Sequence, residues 1–320
     1  MSRVVDFVRR IRWFPTLVLT LCPAVGIYGM FTTPLQSKTF VYAVVMYFWS
    51  ALGYHRLWSH RSYNASMPLQ IFLLVAGASA AQGSVYGWAR DHRAHHRYTD
   101  SELDPYNAKF GLLWSHVGWM MLKPKVDLGK ADISDLSKDT LVQWQNRYYL
   151  LLAGVFGFVL PSLVAGCFWN DYVGGFYYAC LIRMTVVHHG TFAVNSLAHA
   201  FGAQVYNDEI TPRDHFLVAL LTLGEGYHNF HHTFPMDYRN AIRWYQYDPT
   251  KWFIALCKWV GLASHLRIFP ENEIQKGSLT MELKRLKKIQ DSLDWPADVK
   301  ALPVLSWESC EYLELRRVIS

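Results

Sequence analysis

The chain has 320 residues, 52% of them hydrophobic and 16% aromatic, and 31 Lys and Arg against 25 Asp and Glu give a net charge of +6. Charged residues make up only 18%, below the roughly 25% of ordinary soluble domains, which argues against a purely soluble protein. Because no nucleic-acid-binding motif accompanies the positive charge, we expect it to face anionic lipid or a phosphorylated substrate and not nucleic acid. The five cysteines are scattered without a C-x-x-C pair, which excludes a disulfide framework and a cysteine-based zinc site.

Long apolar runs predict four membrane-spanning helices. The predicted spans cover residues 14–31, 40–57, 149–169 and 176–200, and a bilayer requires about 20 apolar residues for each. Short links join the first to the second and the third to the fourth, so we expect two helical hairpins. Four arginines precede the first run: Arg3, Arg9, Arg10 and Arg12. This charge predicts that the N-terminus, and with it the C-terminus, lies in the cytosol.

A fifth apolar run, residues 69–85, is rich in Ala, Gly and Ser and borderline for spanning. If it crossed the membrane, the histidines at 55–60 and at 92–96 would lie on opposite sides. We therefore expect it to be an interfacial helix. Residues 251–263 are predicted to form an amphipathic interfacial helix, and residues 277–293 an exposed charged helix.

Nine of the fourteen histidines fall into spaced clusters. The clusters are His55/His60, His92/His95/His96, His228/His231/His232 and the nearby Asn195-Ser-Leu-Ala-His199. In a helix, residues four apart share a face, whereas the residue three along points to the side. The outer pair of each H-x-x-H-H can therefore bind one ion and the middle histidine a second. His55 and His60 are five apart, so we expect the helix to end or unwind between them.

Nine imidazoles exceed what one metal ion takes. A zinc site has four ligands, whereas two ions with four or five imidazoles each use the whole set. Two irons that activate O₂ explain so many nitrogen ligands better than redox-inactive zinc. The remaining histidines are interpreted as structural or merely exposed: His116, His188, His189, His215 and His265.

The sequence resembles the membrane acyl-CoA Δ9 desaturases, the stearoyl-CoA desaturase family. The segments that carry the resemblance are GYHRLWSHRSY, WARDHRAHHR, NSLAH and GEGYHNFHHTFPMDYR. The likeness extends over residues 40–275, and NFHHTFPMDYRNAIRWYQYDPTKW resembles the fungal branch most.

The resemblance implies an all-α integral membrane fold in which a stem of four transmembrane helices carries a cytosolic helical cap that holds a dimetal centre. It implies that one iron is bound by His55, His60, His92, His96 and His231. It implies that the other is bound by His95, His199, His228 and His232, with Asn195 reaching it through a water.

The resemblance also implies the reaction, which is O₂-dependent insertion of a cis double bond between C9 and C10 of a saturated acyl-CoA such as palmitoyl- or stearoyl-CoA. Electrons would come from cytochrome b5 and an NAD(P)H-dependent reductase. The expected location is the endoplasmic reticulum membrane, with several passes and a cytosolic metal site.

Substrate residues are expected at two places. Arg90, Asp91, Lys123 and Lys125 are candidates for the polyanionic CoA end, and the first three match family contacts by position; a solvated loop is the alternative for the two lysines. Ala43 and Tyr47 on the second span are candidates for the depth of the acyl tunnel, with ordinary helix packing as the alternative. Phe192 is a candidate near the substrate, although animal members have tryptophan there, and Gly83 replaces an asparagine that contacts CoA in those members.

Two carboxylates lie close to the histidine motifs. Metal-bound imidazoles usually donate their other N–H to a carboxylate or carbonyl. We therefore expect Asp104 and Glu225 to support the ligands, with solvated surface carboxylates as the alternative.

Residues 1–275 are predicted to form the desaturase domain, and residues 276–320 a charged helix and tail. The last segment, LPVLSWESCEYLELRRVIS, resembles the lead-in to a cytochrome b5 domain whose His-Pro-Gly-Gly signature is not in this sequence, so we expect cytochrome b5 to act in trans. Two rival functions remain at this point: another membrane diiron desaturase or hydroxylase, and a non-catalytic membrane protein that binds metal for structure or sensing.

Overall fold

The computed structural model describes residues 2–293, and the segment expected to resemble the cytochrome b5 lead-in lies outside the described residues. The chain divides into two compact units, Met1–Met281 and Glu282–Ser320. The described residues are mostly helical, which confirms the helical class. Two strands, β1 (Asn64–Ala65) and β2 (Ala263–Ser264), pair antiparallel with Asn64 opposite Ser264.

The first hairpin follows a short helix, α1 (Ser2–Arg10), and consists of α2 (Trp13–Thr32) and α3 (Ser37–Ala51). Helix α3 is shorter than the predicted span 40–57. It ends where the chain packs closely on the next helix, since a Cβ on Gly53 would lie 3.3 Å from the Gly77 Cα. A π-helical turn, His55–Ser59, follows.

The second hairpin begins with a continuous helix, Thr140–Trp169, made of α8 (Thr140–Leu152), a π-helical stretch (Ala153–Val159) and α9 (Leu160–Trp169). Asn170 ends it in the left-handed conformation (φ 56°). The Asp171 carboxylate then caps the returning helix by accepting the Gly174 N–H at 3.0 Å. A carboxylate at this position satisfies an N–H that the helix leaves without a partner.

The returning helix is built from α10 (Tyr172–Gly174), a π-helical stretch (Gly175–Ile182) and α11 (Arg183–Ala200). Among the described residues, the helices that are long and apolar enough to cross a membrane are Trp13–Thr32 and Thr140–Trp169. The helices in the other two predicted spans, α3 and the returning helix, do not meet this measure of length and hydropathy.

Helix α4 (Met67–Ser79) covers most of the fifth apolar run and has 13 residues. At about 1.5 Å per residue it is too short for a hydrocarbon core of about 30 Å. Its end meets two side chains of α11: Arg183 Nη1 donates to the Ser79 carbonyl at 2.8 Å, and His188 Nε2 lies 2.7 Å from the Ala80 carbonyl.

The remaining helices and helical turns include those that carry most of the other clustered histidines. They are α5 (Val85–Tyr98), a 3-10 turn (Ala108–Phe110), a π-helical turn (Trp114–Gly118), α6 (Trp119–Met121), α7 (Ser134–Lys138), α12 (Phe216–Leu221), α13 (His228–Thr233), α14 (Pro249–Trp259) and α15 (Glu271–Ser292). Side-chain caps define the starts of α5 and α8, where Ser84 accepts the Gly87 N–H and Asp139 accepts two N–H groups. The main apolar core joins α4, α5, α8 and α14 through Leu73, Val85, Val142 and Ile254, and it holds α5 in place.

Candidate metal centre

The nine clustered histidines converge into two groups. The first contains five, His55, His60, His92, His96 and His231, and the second contains four, His95, His199, His228 and His232. Within each group the ligand atoms lie within 4.8 Å of one another. This is the same division that the resemblance implies.

Neighbouring Nε2 atoms in the five-histidine group lie about one coordination edge apart. His55 Nε2 is 3.0 Å from that of His92 and 3.1 Å from that of His231. The His60–His92 separation is 2.9 Å and the His96–His231 separation is 3.0 Å. Two nitrogens bound at right angles to one ion, each at about 2.1 Å, lie about 3.0 Å apart. The spacing therefore fits a common metal ion.

The four-histidine group has similar dimensions. The Nε2 atom of His232 is 3.2 Å from that of His95 and 3.1 Å from that of His228. His228 and His199 are 3.1 Å apart at the same atoms. All four side chains are buried.

The helix periodicity assigns each histidine of α5 and α13 to its group. His92 and His96 are four apart and meet in one group, while His95 points to the other. In α13, His228 and His232 are the pair and His231 crosses over. The sequence spacing thus translates directly into two sites.

The expectation that the helix ends or unwinds between His55 and His60 was wrong, because the chain stays helical between these two residues. The helix α3 does end at Ala51, but His55–Ser59 is a π-helical turn, and the His60 N–H donates to the His55 carbonyl at 3.4 Å. A π turn bonds residue i to residue i+5. It therefore brings two histidines five apart onto one side, which an α-helix does not do.

The Nδ1 atoms of three ligands have acceptors outside the groups. His95 Nδ1 lies 2.8 Å from Asp104 Oδ1, and His55 Nδ1 lies 2.8 Å from Glu225 Oε2. His199 Nδ1 lies 2.8 Å from the Thr211 hydroxyl, which donates to Asp100 at 2.6 Å. With the proton on Nδ1, the Nε2 lone pairs face each other with no proton to share. A cation between them satisfies this arrangement, so the residues fit a metal centre.

The electrostatics favour the charged form of the two carboxylates and the neutral form of His60 and His92. Burial favours a higher pKa for Glu225, but Arg56 and His55 lower it to about 2. Burial also opposes ionisation of Asp104, yet His95 and two backbone N–H groups hold its pKa below the usual value. Burial, reinforced by neighbouring imidazoles, lowers the pKa of His60 and His92 well below the ordinary value. Neutral imidazole is the form that binds metals.

A cavity of about 120 Å³ reaches both groups. It is lined by His55 and His92 of one group and His228 of the other, and also by Asn195, which lies one helical turn before His199. Trp88 forms part of its wall and stacks on His92 with ring centroids 4.8 Å apart and planes 14° apart. Most of the wall is apolar, which suits a hydrocarbon chain.

The three residues expected near the acyl chain, Tyr47, Ala43 and Phe192, lie in different places. Tyr47 lines the cavity, and its hydroxyl donates to the Leu221 carbonyl. Tyr47 and Leu221 also line a second, apolar groove of about 480 Å³, where Ala43 is found. Phe192 does not line either space: it is 2% exposed and packs beside Trp119, which does line the cavity. The structure therefore places Phe192 behind the wall.

The residues proposed for CoA lie on one side of the fold. Arg90 is exposed and pairs with Asp91 at 2.7 Å. Asp91 lines a small pocket with Arg12 and Pro124, which stands between the exposed Lys123 and Lys125. A backbone bridge between Ile11 and Leu122 holds the N-terminal segment there.

The remaining histidines join neither group. His116 Nε2 lies 3.0 Å from His189 Nδ1, and His215 caps α12 by accepting the Val218 N–H. His265 is exposed and contacts Ser264. His188, already described, faces a backbone carbonyl.

Sequence reasoning missed the polar side chains behind the ligands, namely Arg56, Asp100, Thr211 and Asp248. Arg56 lies inside the first histidine motif, and its position beside His55 was the available signal. Asp248 and Asp100 are far from their partners in sequence, so no local sequence signal indicated their roles. Trp88 is the first residue of the WARDHRAHHR segment, but no role was predicted for it from the sequence.

Comparison with known proteins agrees with this geometry. Residues 11–264 match the family model described as fatty acid desaturase. The chain is 49% identical over 311 residues to a Schizosaccharomyces pombe protein named "Probable acyl-CoA desaturase", covering 96% of this chain and 64% of that one. It is 43% identical over 312 residues to acyl-CoA desaturase 1 of Saccharomyces cerevisiae (95% and 61%) and 38% identical over 262 residues to stearoyl-CoA desaturase 5 of Bos taurus (79% and 78%).

The chain thus spans less than two thirds of the length of the two yeast relatives. The bovine relative is covered over most of its length. Both the extent of the family match and these identities confirm the resemblance drawn from the histidine motifs. The chain belongs to the fatty acid desaturase family.

Proposed function

We propose that this protein is an O₂-dependent acyl-CoA Δ9 desaturase that inserts a cis double bond between C9 and C10 of palmitoyl- or stearoyl-CoA. The observation that carries the proposal is the pair of imidazole groups beside one apolar cavity. The names of the relatives, which are acyl-CoA and stearoyl-CoA desaturases, support the substrate class.

The nine histidines would hold two irons, five imidazoles on one and four on the other, with Asn195 reaching the second through a water. When bound, such a pair supplies the oxidising chemistry that removes hydrogen from a saturated carbon chain with O₂. The protein's own task is to aim the ligands. Asp104 and Glu225 accept the Nδ1–H of His95 and His55, and this keeps the Nε2 lone pairs directed inward.

The cavity positions the chain and excludes water. Its volume of about 120 Å³ is below the roughly 300–1,000 Å³ of small-molecule pockets. A long acyl chain therefore requires side chains to move. Tyr47 and Leu221 lie between the cavity and the larger groove, so their displacement would join the two spaces.

The polyanionic CoA end would bind outside the cavity, at Arg90, Asp91, Lys123 and Lys125. Cations beside phosphate form strong charge-assisted contacts. Asp91 would accept a hydrogen bond from the pantetheine or adenosine part.

The proposed setting is the endoplasmic reticulum membrane, with four spans and with both termini and the metal centre in the cytosol. Electrons would come from cytochrome b5 and its NAD(P)H-dependent reductase. The basic N-terminal segment and the aromatic-rich composition support a membrane location.

Gas chromatography of fatty acids tests the proposal. A desaturase-deficient host expressing the chain should gain C9 monounsaturated fatty acids, and His95→Ala should abolish them. His265→Asn is the matched control, because His265 lies outside both groups and asparagine tolerates its positive φ of 51°. Hydroxylated products instead of alkenes would point to a hydroxylase, and unchanged fatty acids with two bound metals to a metal-binding protein without this activity. Desaturation by His95→Ala would refute the metal assignment.

A further inference from the structure

A buried arginine lies directly behind the five-histidine group. Arg56 follows His55 in the chain and is 3% exposed. Its guanidinium donates to Glu225 Oε1 (3.1 and 2.9 Å), to both oxygens of Asp248 (3.0 and 2.8 Å) and to the Tyr238 carbonyl (2.8 Å). All five N–H groups of an arginine are therefore used. This complete set of partners allows the guanidinium one orientation.

Glu225 connects this arginine to a ligand. Its Oε1 accepts from Arg56, while its Oε2 accepts from His55 Nδ1 at 2.8 Å and from Asn240 Nδ2 at 2.5 Å. The two nitrogens of an imidazole belong to one rigid ring. A carboxylate that fixes the direction of Nδ1–H therefore fixes the direction of Nε2 as well.

Stability alone does not explain this cluster. Arg56 and Asp248 are both withdrawn from water here, and the Glu225 side chain is only 20% exposed. Buried ion clusters are weak sources of net stability because desolvation offsets much of their attraction. Their value lies in geometry, since the planar guanidinium fork orients two carboxylates at once.

The four-histidine group is supported differently. Asp104, which accepts from His95, is held by the backbone N–H groups of Asp100 (3.1 Å) and Tyr106 (2.9 Å). Among the described contacts of Asp104, none involves an arginine. A change at Arg56 should therefore reach one group and leave the other unaffected.

We propose that Arg56 is a positioning residue for the five-histidine group: it orients Glu225, Glu225 orients His55, and metal retention in this group depends on that chain of contacts. The inference rests on the proposed metal binding. It adds that metal retention in each histidine group can be weakened separately by substituting a residue that does not itself bind the metal.

Metal release from the purified full-length chain tests this. Protein reconstituted anaerobically with Fe²⁺ is exposed to a chelator, remaining metal is measured by mass spectrometry, and freed histidines are mapped by diethyl pyrocarbonate modification. Arg56→Lys keeps the charge but replaces the five-donor fork with one ammonium. Asp248→Asn is a milder variant, since asparagine still caps α14. Asp104→Asn is the matched variant for the other group.

We expect Arg56→Lys to release metal from the five-histidine group about 10–100-fold more readily than wild type, with His55 and His60 modified first. Asp248→Asn should show the same order with a smaller change, and it carries the test if Arg56→Lys does not fold. Asp104→Asn should reverse the order, with His95 and His199 modified first.

Release from both groups at equally increased rates, together with a lower melting temperature, would assign Arg56 a merely structural role and overturn the inference. Release with the wild-type order and rate would overturn it as well. If either of these results is obtained while wild-type protein binds two ions, the inference about Arg56 fails and the proposed function still stands. If wild-type protein binds no metal, the inference and the proposed function are both refuted.

Discussion

Arg183→Met should destabilise the protein strongly, because Arg183 completes the hydrogen bonding of two other helices. This side chain is 3% exposed, and Nη2 donates to the Gly157 carbonyl at 3.1 Å, while Nη1 donates to the Ser79 carbonyl at 2.8 Å. Gly157 lies where the π-helical stretch runs into Pro161, which has no N–H to donate to a preceding carbonyl. The partner of Ser79 would be Gly83, whose N–H donates to the Tyr149 hydroxyl instead.

The magnitude follows from these two carbonyls. A buried polar group left without a partner costs about 1–3 kcal/mol, so losing both donors costs about 2–6 kcal/mol. Removing the buried charge recovers part of its desolvation, and we expect a net loss of about 2–4 kcal/mol. Arg183→Lys should be intermediate, because one ammonium on a flexible stem cannot hold both carbonyls as the fork does.

Unfolding of purified protein in detergent, followed by heat or denaturant, measures this effect. The three proteins should rank wild type, Arg183→Lys, Arg183→Met in decreasing stability. Helix α4 ends at Ser79 and contributes Gly77 to the cavity wall, so ligand-free Arg183→Met should also lose protection from proteolysis around α4. If Arg183→Met unfolds at or above the wild-type midpoint, the arginine costs more through desolvation than its carbonyl contacts return, and the reasoning is refuted.

Three further substitutions test the site. Asp104→Ala should lower desaturation about 10–100-fold, since His95 loses the acceptor of its Nδ1–H; turnover equal to wild type in the reconstituted enzyme would contradict this. Tyr47→Ala should open the cavity to the apolar groove and shift the products seen by gas chromatography towards longer chains, so an unchanged distribution would count against this role for Tyr47. Thr211→Val, which removes the hydroxyl that accepts from His199 at 2.8 Å, should loosen metal in the four-histidine group alone, and loss from the five-histidine group would argue against it.

The metal groups were the most predictable part of the structure. The H-x-x-H-H spacing on a helix is enough to send His92 and His96 one way and His95 the other, and α5 and α13 behave in this way. Local periodicity suffices here because each helix carries its own ligands. How the helices meet cannot be read from spacing, and for that the family resemblance was needed.

Other features escaped because they depend on contacts distant in sequence or on uncommon backbone geometry. The α-helical rule does not anticipate the π turn at His55–Ser59. Arg56 and Asp248 are 192 residues apart, so no local pattern joins them. The position of Phe192 along α11 did not reveal that its side chain is buried against Trp119, which lines the cavity, and a place for Phe192 near the substrate stays a prediction. The shortened α3 reflects close packing of Gly53 on Gly77, which hydropathy does not register.

Consumption of O₂ in the presence of acyl-CoA, by native-source protein whose metal content is determined in the same sample, tests the central claim most directly. We predict two irons per chain and O₂ uptake that requires saturated acyl-CoA and a reduced electron donor, with one C9 double bond formed for each O₂ consumed. Two tightly held zinc ions with no acyl-CoA-dependent uptake would contradict it.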